Sequence, residues 1–261
     1  MLRAEKRKAR SGAVAKPAPQ QKSQQSRPPP DAATAALDTS RPRPALQNLP
    51  GAPPTIAYAA DWISEAEEAA IVAAAKRGDD WVTVRGRRLR RLGGPAGEAG
   101  FAPEPLPRWA RDACAAAAAS DTSSRPAPNH VLVNSYDFSK ESYVLPHTDG
   151  PAYDDRTFTL SCGADAVVVF KERLKTSDIG VRAAATRCEV LLRRRSLLAF
   201  SREAYTECTH QIGAAPDTIG LCCVNLDAAN ARVGDVVGRA LPLVLVQVFL
   251  VTNMFYFTAT L

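Results

Sequence analysis

Short β-rich runs separated by turns fill much of the chain after residue 128, and this feature constrains the fold more than any other. Strands of this length at this spacing are typical of a β-sandwich or a barrel. The runs predict strands over residues 129–138, 157–162, 166–171, 188–193 and 196–201.

Two helices are predicted ahead of these strands. Residues 56–75 have the pattern of a strand followed by a helix, and Ser64 and Glu67 form a capping box that starts the helix. The alanine-rich residues 107–119, which include Trp109, favour a second helix. Helices followed by strands indicate an α+β domain, with the helices packed beside the sheet.

Residues 1–55 differ from the rest in composition. They hold ten of the twenty prolines, no aromatic residue, and ten basic against three acidic residues, a net charge of +7 where the remainder nets −1. Such a segment cannot bury enough apolar area to offset its ordering entropy, so we predict a disordered, basic, proline-rich tail.

The basic cluster at residues 6–10 has three interpretations: a nuclear address, an electrostatic arm for phosphate backbones, or a solvated tail. No hydrophobic stretch follows it, so a secretory signal is not expected. We expect the protein in the nucleus and cytoplasm, with an organelle transit peptide as the open alternative because acids are scarce over the first thirty residues.

Two of the three histidines stand in a pattern that suits a metal. His147 and Asp149 are two residues apart, so on a strand both side chains point to one side, and we predict that this pair stands where a strand begins. His210 ends an alternating segment, residues 205–210, which predicts a strand context for a third ligand. Two histidines and one carboxylate form the facial triad that binds non-haem Fe(II) and leaves positions open for O₂. Alone, a His-x-Asp pair is a weak signal.

Longer motifs surround these residues. Residues 128–136 and 146–151, followed by Tyr153, resemble the AlkB-type Fe(II)/2-oxoglutarate dioxygenases, most closely the sixth homologue branch of that family. The resemblance covers about residues 54–212, and further matches lie at residues 81–82, 87–89, 93–94, 195–198 and 204–205.

The resemblance implies a double-stranded β-helix (jelly-roll) core over residues 56–238, with an atypical apolar segment at 239–261. It implies Fe(2+) on His147, Asp149 and His210. Asn134 and Tyr136 of an N-x-Y motif would contact 2-oxoglutarate. The implied activity is oxidative dealkylation of nucleic acid, in which an N-methyl group is hydroxylated and formaldehyde, succinate and CO₂ are released.

One departure from the family concerns 2-oxoglutarate. Members end with a strand that carries a pair of arginines, the first of which contacts the far carboxylate of 2-oxoglutarate, but no lysine or arginine follows Arg239 here. Arg232 or Arg239 could substitute, although both stand in loop-like sequence. An altered transcript end would explain the difference. The alternative function is a catalytically impaired member that serves as a nucleic-acid or protein binding module.

The apolar residues 240–257 are close to the length of a short spanning helix. Pro242, Gln247, Thr252 and Asn253 oppose that interpretation, and the many valines also fit a buried strand. We therefore expect a core strand or an unrelated tail, and a membrane-tethered member that uses this apolar segment is the weaker alternative.

Residues 81–91 combine Trp81 with five arginines. In the resemblance this region corresponds to a lid that meets the nucleotide, and cations beside an aromatic ring suit backbone contact and base stacking. We predict nucleic-acid contacts from Arg87 and Arg88; a solvated basic hairpin is the alternative. The expected partners are alkylated nucleic acid, with single strands or RNA as the easier targets, and O₂. The sequence carries no signal of oligomeric state.

Six cysteines show no C-x-x-C spacing, so neither a zinc site nor a disulfide framework is predicted. Cys208 would share a strand face with His210, but a small buried residue is expected there rather than a ligand.

Overall fold

The computed structural model describes residues 37–97, 100–137, 142–150, 152–179, 183–212 and 243–249. Its strands are β1 (Gln47–Asn48), β2 (Ile56–Ala59), β3 (Val82–Val84), β4 (Arg87–Leu92), β5 (Ala96–Gly97), β6 (Gly100–Phe101), β7 (His130–Tyr136), β8 (Val144–His147), β9 (Arg156–Cys162), β10 (Ala166–Glu172), β11 (Thr186–Leu192), β12 (Leu197–Ser201), β13 (Cys208–Ile212) and β14 (Leu243–Phe249). Its α-helices are α1 (Glu65–Lys76), α2 (Arg108–Ala119) and α3 (Arg202–Thr206).

Two antiparallel sheets form the core. The larger sheet has the order β1-β2-β12-β9-β14-β7-β4-β3 and the smaller one β11-β10-β13-β8, while β5 and β6 form a separate hairpin. From β7 onward the chain passes back and forth between the two sheets, and β14 returns between β7 and β9. This strand order is a jelly roll, so the prediction of an α+β fold with a double-stranded β-helix core is confirmed.

Helices α1 and α2 cover the outer face of the larger sheet. The predicted capping box is present: the Glu67 amide donates to Ser64 Oγ, and the Ser64 amide donates to the Glu67 carboxylate. Trp109 of α2 and Val131 and Val133 of β7 lie in one buried cluster behind the sheet. Both predicted helices are therefore confirmed.

Alternate side chains of β7 point into two different buried clusters, one on each face of the larger sheet. Val131 and Val133 point toward the helices, whereas Tyr136 belongs to a second buried cluster between the sheets, together with Phe170 of β10 and Phe200 of β12. Asn134 and Tyr136, two residues apart, share this inner face. The inner face is the one that a ligand inside the jelly roll would meet.

Packing begins earlier in the chain than the predicted boundary at residue 55. Leu37 and Leu49 are buried, and residues 47–48 pair with β2. Arg41 and Arg43 form ion pairs with Glu67. Only residues 1–36 of the predicted tail lie outside the described part, and for them disorder stays a prediction.

The apolar C-terminal segment supplies a strand of the larger sheet. β14 pairs with β7 and with β9, which makes residues 243–249 part of the jelly roll rather than an appendage to it. None of the helices in the described ranges is long and apolar enough to cross a membrane. Arg232 and Arg239 lie outside the described residues.

Candidate metal centre

His147 and His210 meet across two neighbouring strands of the smaller sheet. His147 is the last residue of β8, His210 is the central residue of β13, and the two are cross-strand partners. Asp149 follows β8 by two residues. The prediction that the His147 and Asp149 pair stands where a strand begins is therefore wrong, because the pair stands where β8 ends.

The three side chains offer ligand atoms that all lie within 4.8 Å of one another. Asp149 Oδ1 is 3.5 Å from His210 Nε2 and 3.7 Å from His147 Nε2. The side chains of Asp149 and His210 are each only 4% exposed, whereas that of His147 is 36% exposed. The cluster therefore opens to solvent on the side of His147.

Hydrogen bonding fixes the tautomer of His147. Its Nδ1 lies 2.9 Å from the Leu145 carbonyl oxygen, and because a carbonyl only accepts, Nδ1 carries the proton. Nε2 is left with its lone pair on the side of Asp149. His210 Nε2 is buried and has no hydrogen-bond partner. This set of two imidazole nitrogens and one carboxylate oxygen fits a divalent transition metal such as Fe(II). A metal would also give the His210 nitrogen the partner that it lacks.

The charge state of the cluster also suits a cation. Burial lowers the pKa of His147, and the neighbouring His210 adds to this effect. Burial alone would raise the pKa of Asp149, but His210 and His147 outweigh it, and the pKa lies below its usual value. At neutral pH the carboxylate is therefore ionised and the His147 imidazole is neutral, which is the state that binds metal.

Two side chains that the sequence did not single out for this role support Asp149. The Thr157 hydroxyl of β9 lies 3.5 Å from Asp149 Oδ2, and the Tyr205 hydroxyl donates to the Gly150 carbonyl oxygen at 3.0 Å. Tyr205 stands in α3, so the prediction of a continuous strand over residues 205–210 is wrong at its start. Cys208 is buried in β13 and is not a member of the cluster. Only the fold brings Thr157 and Tyr205 to this place.

Asn134 and Tyr136 lie on the inner face of β7, both buried. Burial raises the pKa of the Tyr136 phenol, so its hydroxyl stays protonated and able to donate. The amide of Asn134 likewise carries donors. Both side chains thus contain hydrogen-bond donors and lie on the inner face of the sheet.

A basic hairpin borders the open side of the cluster. β3 and β4 are joined by the two-residue turn Arg85-Gly86, in which both residues have positive φ. Ser142 Oγ donates to the Gly86 carbonyl oxygen, and Arg87 Nη1 donates to the Tyr143 carbonyl oxygen at 3.3 Å. These bonds attach the hairpin to the segment that leads into β8.

The arginines of the hairpin have different environments. Arg88 stacks over Trp81, with its guanidinium carbon 4.8 Å from the ring centroid. Arg87 lies on the opposite face of β4, the face shared with Leu89 and its partner Asn134. Arg90 is buried and paired with Asp80, so it is a structural residue rather than part of an exposed basic surface.

The jelly-roll strand order and the cluster of two histidines and one carboxylate are together typical of non-haem iron oxygenases. No family model matches the chain. A protein of Danio rerio named "Probable RNA/DNA demethylase ALKBH6" is 30% identical over 195 residues, which cover 72% of this chain and 82% of that protein. A crystal structure of an oxidoreductase of the 2OG-Fe(II) oxygenase family from Burkholderia pseudomallei aligns over 76% of this chain and 85% of that one, with 13% identity and a TM-score of 0.46.

The similarity to the Danio rerio protein spans most of both chains. The chain belongs to the AlkB family of Fe(II)/2-oxoglutarate-dependent dioxygenases. Membership confirms the family inferred from the motifs, and it implies Fe(2+) and 2-oxoglutarate as cofactor and co-substrate.

Proposed function

We propose that this dioxygenase dealkylates nucleic acid oxidatively, with His147, Asp149 and His210 holding Fe(II) and with Asn134 and Tyr136 binding 2-oxoglutarate. The observation that carries the proposal is the convergence of the three ligand atoms within 4.8 Å at the open edge of the smaller sheet. A metal held by three groups on one side keeps its other positions for co-substrate and O₂.

Each residue has a definite role in this proposal. His147 and His210 present Nε2, and Asp149 supplies the anionic ligand whose position Tyr205 and Thr157 maintain. Bound Fe(II) would activate O₂, which is the oxidant: one oxygen atom would go to 2-oxoglutarate, which is oxidised to succinate and CO₂, and the other to an N-methyl group, which is hydroxylated and lost as formaldehyde.

Two observations support nucleic acid as the substrate. The relative from Danio rerio carries the name of an RNA/DNA demethylase. The hairpin beside the cluster presents exposed Arg88 against Trp81, and a cation with an aromatic ring suits contact with a phosphate backbone and an unstacked base. A base must leave a duplex to reach a recessed metal, so single strands are the preferred substrates.

The competing function is a binding module that has lost turnover. The observation that favours it is β14, which occupies a place between β7 and β9 yet carries no lysine or arginine over residues 243–249. Such a protein would still bind oligonucleotides at the hairpin, but it would not chelate 2-oxoglutarate.

The first experiment is an anaerobic titration of the Fe(II)-loaded full chain with 2-oxoglutarate. Chelation gives a visible charge-transfer band, and we expect this band in the protein but not in a His147→Ala variant. In air, methylated single-stranded DNA and RNA should then lose methyl groups, with formaldehyde and succinate released in equal amounts. A folded protein that gives neither band nor demethylation would support the binding module instead.

A second experiment addresses the hairpin. Replacing Arg87 and Arg88 together by glutamine should weaken oligonucleotide binding and make it less dependent on salt, because fewer counterions are released. The Arg108→Gln variant, which removes an exposed arginine of α2, is the control. Unchanged binding in the double variant would exclude the hairpin as a nucleic-acid contact.

A further inference from the structure

The strand that would carry the co-substrate arginine in relatives is present here, but without a cation. In β14, Leu243 is the cross-strand partner of Tyr136 and Leu245 that of Asn134. No lysine or arginine occurs anywhere in residues 243–249. Because 2-oxoglutarate carries two carboxylates, the far one needs a cation or several donors when it is buried.

The strand on the other side of β7 does carry a cation on the inner face. Arg88 of β4 is the partner of Ser135, so continuing the register by one residue places Arg87 opposite Tyr136. Leu89, two residues from Arg87, is opposite Asn134. Arg87 therefore shares the inner face with both residues of the N-x-Y motif.

The side chain of Arg87 is only partly committed to protein groups. Its Nη1 bonds the Tyr143 carbonyl oxygen at 3.3 Å, while its Nε is buried without a hydrogen-bond partner. A buried guanidinium N–H without an acceptor is costly, and an arriving carboxylate would satisfy it. The guanidinium has further N–H groups for a two-pronged contact.

The charge of Arg87 acts on Tyr136 of the N-x-Y motif. Burial raises the pKa of Tyr136, and Arg87 acts against that rise. The guanidinium thus acts electrostatically on one residue of the N-x-Y motif.

Along the described strands, Arg91 is the other cation on this inner face. It is exposed, and its charge acts on His130 and Tyr153, at the far end of β7 from Tyr136. Arg91 therefore stands farther from Tyr136 than Arg87 does, which leaves Arg87 as the cation beside Tyr136.

The geometry points to Arg87 as the residue that binds the far carboxylate of 2-oxoglutarate, from the strand next to β7 on the side opposite β14. This inference rests on the proposed function, since it presupposes that the metal cluster chelates the 2-oxo acid. It also separates two residues of the basic hairpin, because Arg87 lies on the inner face of β4 whereas Arg88 stacks over Trp81 on the opposite face.

The test compares two 2-oxo acids that differ in the far carboxylate. 2-Oxopentanoate has the same chelating end as 2-oxoglutarate but lacks that second carboxylate. Both are titrated anaerobically into the Fe(II)-loaded full chain, and the charge-transfer band reports binding without turnover. The variants are Arg87→Gln, the conservative Arg87→Lys, and the matched neighbour Arg88→Gln.

We expect the native chain to bind 2-oxoglutarate more tightly than 2-oxopentanoate. Arg87→Gln should weaken 2-oxoglutarate about 10- to 100-fold, the range of a charge-assisted contact, and leave 2-oxopentanoate unchanged. Arg87→Lys should lose less than Arg87→Gln because a point charge remains. Arg88→Gln should leave the affinity for both acids unchanged.

The two ways of failing are distinguishable. If the native chain prefers 2-oxoglutarate and Arg87→Gln keeps that preference, the far carboxylate is bound elsewhere, and this inference is overturned while the proposed function stands. If Arg87→Gln weakens both acids equally, Arg87 supports the metal end instead, and the inference is again wrong. If neither acid gives a band in folded native protein, both the inference and the proposed function fall.

Discussion

His147 and His210 are directly opposite each other across the β8 and β13 pair, with ring centroids 4.4 Å apart and planes inclined by 49°. Two ligands on one rung of a sheet are placed by backbone hydrogen bonds rather than by a loop. Inside the jelly roll, Phe200 packs against His210, with the two ring centroids 5.1 Å apart. The site is therefore largely built before a metal arrives.

Removing either histidine should abolish tight metal binding. We expect His147→Ala and His210→Gln each to weaken binding of Fe(II), or of Mn(II) as a stable substitute, by at least about 100-fold, since only two ligands remain. Equilibrium dialysis with metal analysis measures this. His130→Gln is the control, because His130 lies outside the cluster. Stoichiometric metal in either ligand variant would exclude the cluster as the metal site.

Tyr205 should act on the metal through the backbone of Gly150. The Tyr205→Phe variant loses the hydroxyl bond to the Gly150 carbonyl, and we expect metal affinity to fall about tenfold because Asp149 is less firmly oriented. The loss of stability should be about 1 kcal/mol. Denaturant unfolding and metal titration of the same variant separate the two effects.

The control for Tyr205 is another buried tyrosine. Tyr58 accepts a bond from the Arg193 amide at 3.1 Å, so Tyr58→Phe should cost a similar amount of stability with no change in metal affinity. Equal metal affinity in the native chain and both variants would leave Tyr205 with a structural role only.

The sequence predicted both long helices and the strands β2, β7, β9, β10, β11 and β12, because a capping box and short apolar runs are local patterns. The three residues of the cluster were identified through the family resemblance, since a His-x-Asp pair is weak evidence by itself. It did not predict Tyr205 and Thr157 as supports of Asp149, since a hydrogen bond between distant segments has no local signature. The different environments of Arg87 and Arg88 became visible only once the register of β4 against β7 was known. Composition placed the end of the predicted tail too late in the chain. Arg41 and Arg43 attach that segment to α1 by ion pairs with Glu67, and such pairs do not appear in a count of apolar residues.

Glu67 joins that early segment to α1, and its charge should matter for stability. Its side chain is 7% exposed and contacts Arg41 and Arg43. Burial opposes ionisation, but hydrogen bonds from Arg43 and the Ser64 amide prevail and lower the pKa of Glu67 to about 2. Glu67→Gln keeps the capping box but removes the charge, and we expect a loss of about 1 to 3 kcal/mol at pH 7.

The pH dependence tests the cause of this loss. A folded pKa below the unfolded value of 4.5 gives stabilisation that is present above pH 4.5 and is lost as the pH falls toward 2. The difference between the native chain and Glu67→Gln should therefore shrink over that window in denaturant unfolding. Glu65→Gln, at an exposed position of the same helix turn, should change stability by less than about 0.5 kcal/mol at any pH. A difference that does not vary with pH would assign the effect of Glu67→Gln to packing.

His130 should make the folding stability fall with acid at a higher pH than Glu67 does. It is fully buried, its Nε2 lies 3.1 Å from the Gly94 carbonyl oxygen, and burial lowers its pKa to about 4. The unfolded chain takes up a proton near pH 6.5 while the folded chain does not, so stability falls as the pH drops from 6.5 to 4, by up to about 3 kcal/mol. His130→Gln should be less stable than the native chain at pH 7, and this difference should narrow by pH 4 in urea titrations. A constant difference across that range would mean that the His130 ring is protonated in the folded protein as readily as in the unfolded chain.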